Sequence, residues 1–231
     1  MAYFGLSSPY IAQFDAEAET YSNGMKLGKA ISTSITPNYS TASLYADNGE
    51  AERVDEFVNA AVEVGTDRIP AAAGPILFGH TTNGNGEEVK NANDSSKYVG
   101  YGFWQASMED GVKKYQGCLL YKVKFTEGQT SYQTKGENIT FATPTLSGSA
   151  TAKLNGDWQV NSPKYDTVRE AEVWLKTKLG IALTYTAVTP ASGDNPKQKG
   201  WYERSGSQEP YTYTLTTDTT VDDQKTYYEA S

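Results

Sequence analysis

Two long segments of strand character, residues 97–108 and 112–127, are separated by a turn that contains Asp110 and Gly111. An Asp-Gly pair between two strand-like segments is a strong signal for a tight β-hairpin, because both residues tolerate a positive φ. The chain is therefore predicted to fold around a long antiparallel hairpin. The face predicted for the second strand consists of Leu119, Tyr121, Val123 and Phe125.

The composition extends this β prediction to the rest of the chain. The 231 residues include 17 Tyr and 21 Gly, together with abundant Thr, and these residues favour strands and turns over helices. The hydrophobic fraction of 38% is enough to fill a core. We predict a mainly β protein, with either one large domain or a medium domain and a small appendage.

The N-terminal region predicts a second hairpin with an unusual connection. Residues 1–20 lack periodicity and are predicted to form an extended arm. Residues 29–36 alternate as a strand that Pro37 would end, and residues 54–64 alternate as another. The segment 37–53 would then be a long connection, of a length that is often functional.

Helical patterns occur in two places. Thr167 and Glu170 form a capping box at the start of a helix predicted over residues 168–179. A shorter helix is predicted over residues 69–78, followed by a flexible loop over residues 80–96.

The composition changes after Gly180. Before it, residues 137–146 and 147–154 read as two further strands. After it, two similar halves each contain a Tyr-Thr pair followed by an aromatic residue, Tyr and Glu. We predict a domain over residues 1–180 and a small Tyr- and Thr-rich β appendage over residues 181–231.

Charge and reactive residues argue against an enzyme. The 20 basic and 28 acidic residues give a net charge of −8, which disfavours a phosphate-binding surface. His80, the only histidine, is predicted to cap the short helix, and Cys118 is predicted to be a buried strand residue. We therefore predict no catalytic residues, no cofactor and no metal.

The sequence also predicts a protein without a membrane partner. No stretch has the roughly 20 apolar residues that a membrane-spanning helix needs. The first ten residues lack the basic region and apolar run of a signal peptide. We therefore expect synthesis in the cytoplasm.

An ordered set of short motifs runs through residues 1–180. These motifs are Met1-Ala2-Tyr3-Phe4-Gly5-Leu6, Tyr21-Ser22-Asn23-Gly24, Ile35-Thr36-Pro37-Asn38-Tyr39, Ala42-Ser43-Leu44-Tyr45-Ala46-Asp47-Asn48, Phe78-Gly79-His80, Tyr98-Val99-Gly100-Tyr101-Gly102-Phe103, Leu120-Tyr121-Lys122-Val123-Lys124-Phe125 and Tyr132-Gln133-Thr134-Lys135-Gly136. Together they resemble the major tail proteins, or tail tube proteins, of siphophages that infect Gram-positive bacteria.

This resemblance implies a tail-tube type β-sandwich or barrel with a flanking α-helix. It implies that the subunits form hexameric rings that stack into a hollow tube, through which DNA leaves the particle without specific binding. The implied partners are further copies of the chain and the tail terminator, tape measure and baseplate proteins. The implied location is the virion tail, after assembly in the host cytoplasm.

By the same resemblance, two groups of residues are predicted to make subunit contacts. The connection 37–53 would reach an adjacent ring, and the hairpins over residues 29–64 and 97–127 would close the ring and line the lumen. The residues predicted for the contact between rings are Asn38, Tyr39, Leu44, Tyr45, Asp47 and Asn48. Those predicted for the lumen hairpins are Ile31, Thr33, Ile35, Val62, Tyr101, Phe103, Tyr121 and Val123.

The alternative from another functional class is a carbohydrate-binding or adhesin β-sandwich. In that case the Tyr- and Trp-rich C-terminal region would be the binding face, and the protein would remain a monomer.

Overall fold

The computed structural model describes residues 2–47, 49–128, 143–206 and 211–231. It confirms the mainly β prediction. The strands are β1 (Ala2–Asp15), β2 (Thr20–Lys26), β3 (Ala30–Ala46), β4 (Gly49–Thr66), β5 (Thr81–Thr82), β6 (Glu88–Val89), β7 (Tyr98–Glu109), β8 (Val112–Thr126), β9 (Thr145–Ala150), β10 (Gln159–Asn161), β11 (Tyr185–Val188), β12 (Tyr202–Ser205), β13 (Thr212–Leu215) and β14 (Tyr227–Ala230). The helices are a 3-10 turn (Ala71–Ala73), α1 (Gly74–Leu77) and α2 (Val168–Lys178).

The main sheet has eight antiparallel strands and is strongly curled. Its order is β2-β1-β7-β8-β9-β4-β3, and β10 also pairs with β8. In a flat sheet, strands β7 and β3 would lie about 19 Å apart, four spacings of about 4.8 Å. The hydroxyl groups of Tyr101 on β7 and Thr33 on β3 are nevertheless 2.7 Å apart. The sheet therefore curves back on itself.

The concave side of the sheet encloses one large apolar core. This core draws on β1, β4, β7, β8 and β9, and the segment around α1 contributes its apolar side chains to it. Its fully buried members include Ile11, Leu27, Leu77, Val99, Tyr101, Leu120, Val123, Phe125 and Leu146. Each of these strands buries one face and exposes the other, so apolar and polar residues alternate along its sequence.

Helix α2 packs on the convex side of β7 and β8. Ala171, Leu175 and Leu179 are buried there, and Leu119 joins them from β8. The contact is close because Gly117 has no side chain: a Cβ at that position would lie 2.8 Å from Cε3 of Trp174. The predicted capping box is present, since the Glu170 N–H donates to Thr167 Oγ1 and the Thr167 N–H donates to Glu170 Oε2.

Two N-terminal predictions were wrong. Residues 1–20 contain a long strand, β1, with irregular pairing between Phe4 and Leu6 and between Ser7 and Tyr10. Irregular pairing of this kind interrupts the alternation on which the sequence prediction relied. Pro37 does not end a strand, because β3 is an edge strand in which a missing N–H is tolerated.

A β-bulge overturns the face predicted for β8. Val99 pairs with Val123, whereas Tyr101 pairs with Leu120, so β8 has one extra residue between the two pairs. An extra residue reverses the direction of every following side chain. Leu120 and Val123 consequently enter the large core, while Tyr121 packs near α2.

The segments between the long strands differ in detail from the predictions. The helix predicted over residues 69–78 is a 3-10 turn followed by the single turn of α1. The predicted loop 80–96 contains the small hairpin of β5 and β6. Two strands were predicted over residues 137–146 and 147–154, but a single strand, β9, runs across their junction. Residues 137–142 lie outside the described part.

The C-terminal region forms a separate four-stranded sheet with the order β11-β14-β12-β13. The two similar sequence halves therefore interleave, because β14 lies between β11 and β12. Tyr185 and Tyr213, from the two edge strands, stack with ring centroids 3.9 Å apart, so this sheet is also curled. Ile181 still packs with the α2 cluster, and the backbone of Thr184 pairs with that of Ser231.

We expect Thr167→Ala to destabilise the protein by about 1 kcal/mol, since it removes the side-chain acceptor at the start of α2. The measurement is the urea midpoint of unfolding. Thr167→Ser is the matched control, because serine keeps the hydroxyl, and it should unfold near the wild-type midpoint. Equal midpoints for the two variants would show that the cap contributes nothing.

Candidate functional site

The most distinctive surface feature is a two-stranded ribbon, residues 38–59, formed by the distal parts of β3 and β4. Strand β4 pairs with β9 only from Ala60 to Gly65, whereas its pairing with β3 continues from Asn59 to Gly49. Among the described strands, none pairs with either outer edge of the ribbon. Eight residue steps at about 3.3 Å each carry it roughly 26 Å beyond the sheet.

The cross-strand pairs define the two faces of the ribbon. One face mixes apolar and acidic side chains, because Ala42 lies opposite Val54 and Leu44 opposite Glu52, and Leu44 and Val54 are 61% and 48% exposed. On the other face Thr41 Oγ1 donates to Asp55 Oδ1 at 2.7 Å, and Arg53 pairs with the same oxygen at 3.2 Å. These two contacts hold the pKa of Asp55 below its ordinary value.

The base of the ribbon is anchored by aromatic contacts. The Phe57 ring stacks on Trp158 with centroids 4.9 Å apart and an interplanar angle of 16°. Tyr39 meets the edge of Phe57 at 6.0 Å, and Asn38 Nδ2 donates to Asn59 Oδ1 at 2.8 Å. The ribbon is thus attached to the body through one stacked ring pair as well as through its own strands.

The described residues among those predicted for contact between rings lie on this ribbon. Asn38, Tyr39, Leu44 and Asp47 are exposed. Nothing is described of the Tyr45 side chain, and Asn48 lies outside the described residues. The prediction of a long irregular connection over residues 37–53 was wrong, because this segment is paired strand. The role of these residues between rings stays a prediction.

The residues predicted for the lumen hairpins are not brought together on one surface. Val62, Tyr101, Phe103 and Val123 are buried in the large core, and Thr33 and Ile35 lie at its margin. Ile31 is 54% exposed at an irregularity in β3, and Tyr121 packs near α2. Buried side chains have no surface to offer to a lumen, so only the opposite face of these strands is available for that purpose.

That opposite face is rich in small and hydroxyl-bearing side chains. It consists of the residues that alternate along the strands with Val62, Val64 and Leu146, whose side chains face the core. Its members on β3, β4 and β9 are Ser32, Ser34, Thr36, Ala61, Glu63, Ser147 and Ser149. Among these positions Glu63 is the only charged residue, and on the neighbouring strand β8 Lys124 lies opposite Ser149.

Three residues of the site were missing from the predicted contact residues: Val54, Phe57 and Trp158. The available signal was Asn48-Gly49, a pair typical of tight hairpin turns, which would have indicated a ribbon and its register.

The two reactive residues are engaged in structural contacts. His80 does not cap α1; its Nδ1 lies 2.7 Å from Glu88 Oε1, and its Nε2 lies 3.7 Å from Glu127 Oε2. Cys118 is buried in β8, as predicted, and burial raises the pKa of its thiol to about 12.

Within the described ranges, no group of three or more His, Cys, Asp or Glu side chains is placed to hold a metal ion. The same ranges contain no helix with the length and apolar character required to cross a membrane. A scan against protein-family models matches none of them, and a search of curated proteins finds no significant match.

We expect Cys118 to resist alkylation by iodoacetamide near neutral pH while the protein is folded. A thiol whose pKa is raised to about 12 contains very little thiolate, and it is the thiolate that reacts. Mass spectrometry should show labelling only after the protein unfolds in concentrated guanidinium chloride. Rapid stoichiometric labelling of the native protein would contradict the buried position.

We also expect Phe57→Ala to release the base of the ribbon. A stacked aromatic pair contributes about 1 kcal/mol, so local opening should increase about fivefold. Limited proteolysis followed by mass spectrometry should then show faster cleavage within residues 38–59. Val58→Ala is the matched control, because Val58 is the neighbouring residue and is 55% exposed. Equal cleavage of both variants would show that the ring stack does not anchor the ribbon.

Proposed function

We propose that this chain is the structural subunit of a hollow phage tail tube, built from stacked hexameric rings, and that it has no enzymatic role. The proposal combines the motif resemblance in residues 1–180 with the surface features of the main sheet. The observation that carries it is the ribbon over residues 38–59, which projects from the sheet with both edges unpaired among the described strands.

An isolated two-stranded ribbon has marginal stability in water. Its open edges also present unpaired N–H and C=O groups, which invite pairing with another chain. Leu44 and Val54 add exposed apolar surface on the face between those edges. A projecting ribbon with these properties gains stability when a neighbouring subunit covers it.

A second copy of the chain is the partner that best fits a tube. A ribbon that docks on a different surface of the next copy makes a head-to-tail contact, and such contacts generate closed rings or continuous stacks. Because the ribbon extends roughly 26 Å, it is long enough to cross the boundary between one ring and the next. The tail terminator, tape measure and baseplate proteins would then meet the ends and interior of the tube.

The hydroxyl-rich face of β3, β4 and β9 suits the lumen. DNA binds tightly where Lys and Arg side chains cluster. The positions that alternate with the core residues of these strands are mostly Ser, with Glu63 as the charged residue. DNA could slide past such a surface without a specific contact.

The test is assembly of a variant with a shortened ribbon. Ser40 pairs with Glu56, so residues 41–55 can be replaced by an Asn-Gly turn that joins this pair directly. We expect the wild-type protein to form tubes at high concentration in negative-stain electron microscopy, with sixfold rings in end views. The shortened variant should stay folded, with a urea midpoint close to that of the wild type, but form no tubes.

The matched comparison is a chain that ends at Ala182, which removes the C-terminal sheet but keeps Ile181 in the α2 cluster. If the main sheet and the ribbon build the tube, this chain should still assemble. Normal tubes from the shortened ribbon variant would rule out the ribbon as the contact between rings. A wild-type protein that stays monomeric under all assembly conditions would contradict the tube itself.

A further inference from the structure

A cleft of about 250 Å³ lies between helix α2 and the C-terminal sheet. Its α2 side includes Val173 and Trp174, and its sheet side includes Tyr202 and Leu215. Liquid water occupies about 30 Å³ per molecule, so the cleft has room for about eight waters or for one ligand of similar bulk. It is too small for a helix or a folded protein segment.

The walls are mainly apolar, and three of the nine lining residues are aromatic. Three rings line the cleft, those of Tyr165, Trp174 and Tyr202. The side chain of Leu215 is 54% exposed at the same place, where a bound molecule would cover it. Ligand sites typically combine apolar and aromatic walls with a small number of positioned polar groups.

The polar groups include one acid and one base. Glu170 uses Oε2 in the capping box, and its Oε1 faces Gly200, where a Cβ would lie 3.3 Å from that oxygen. The guanidinium group of Arg169 donates to the Lys199 carbonyl oxygen and lies 3.7 Å from Glu229. Thr177 is the remaining residue with a polar side chain that lines the cleft.

The tyrosine hydroxyls of the cleft remain protonated and therefore act as hydrogen-bond donors. Burial is the main cause that raises the pKa of Tyr165, and the charge of Glu170 raises it further. Burial and Tyr185 raise the pKa of Tyr202, and Glu170 contributes there as well. A neutral phenol can both donate and accept, as a hydroxyl-rich ligand requires.

We propose that this cleft is a binding site for one neutral sugar ring. The C–H faces of a sugar ring are apolar and match the aromatic walls, while its hydroxyl groups match Glu170, Arg169 and Thr177. A strongly anionic ligand would meet Glu170, and a cationic ligand would meet Arg169. A neutral ligand with many hydroxyl groups avoids both conflicts and uses both side chains.

This inference is independent of the proposed tube. The cleft lies on α2 and the C-terminal sheet, whereas the tube proposal depends on the ribbon and the main sheet. A sugar site would persist in a protein that never assembled, and tubes could form from a protein that bound no sugar.

The test uses the full-length protein and saturation-transfer difference NMR. The probes are methyl β-D-glucopyranoside, methyl β-D-galactopyranoside and N-acetylglucosamine, together with glucuronate, choline and adenosine as an anionic, a cationic and a flat aromatic ligand. For a single sugar ring we expect a dissociation constant on the order of 1 mM for at least one of the three neutral sugars.

Leu215→Arg should fill the cleft from an exposed position and weaken sugar binding at least about tenfold. Leu154→Arg is the matched control, because Leu154 is 90% exposed and does not line the cleft, and it should bind as the wild type does. Glu170→Gln retains a capping-box residue while removing the carboxylate, so it should weaken binding without unfolding α2. The urea midpoint of each variant verifies that it is folded.

Three results would overturn the proposal. The first is no detectable binding of any of the three neutral sugars. The second is preferential binding of glucuronate, choline or adenosine, which would assign the cleft to another ligand class. The third is sugar binding that survives Leu215→Arg, which would place the sugar elsewhere on the protein.

Discussion

The hydrogen bond of 2.7 Å between the hydroxyl groups of Thr33 and Tyr101 marks the constraint on which the fold depends. Tyr101 is fully buried, and a buried hydroxyl without a partner would cost roughly 1 to 3 kcal/mol. Its partner lies on a strand four positions away in the sheet, so the contact requires the sheet to curl. A curled sheet encloses its own core, and the short segment around α1 fills one side of it. Only one longer helix, α2, is then needed, on the convex side of β7 and β8.

The elements that the sequence predicted correctly are those determined by short-range interactions. The hairpin of β7 and β8 depends on Asp110 and Gly111, whose φ values are +47° and +80°. Helix α2 depends on a capping box within four residues and on a stripe of apolar side chains. Both patterns can be read without knowing which strands are neighbours in the sheet.

The errors arose where the structure depends on distant partners. A bulge in β8 adds a single residue between the partners of Val99 and Tyr101, and no local signature distinguishes that residue from its neighbours. Pro37 was predicted to end a strand, although proline is tolerated in β3. This tolerance depends on the edge position of β3, which only the full sheet order reveals. The residues predicted to line the lumen were chosen in the same way. Their sequences show alternating faces, but the sequence does not reveal which face of the curled sheet encloses the core.

The ribbon depends on both short-range and long-range interactions. Its location was predicted by the motif that ends at Asn48, but its form follows from pairing that extends past the last contact with β9. Hydrogen bonds across the strands and the stack of Phe57 on Trp158 hold it in place before any partner binds. A preformed ribbon loses less conformational entropy on association than a flexible loop of the same length.

The carboxylates of the ribbon, which include Glu52, Asp55 and Glu56 against the single base Arg53, would make two ribbons repel each other. In the proposed tube, a neighbouring subunit would therefore receive the ribbon on a different surface, and a contact of that kind would let a ring or a stack grow instead of a closed pair.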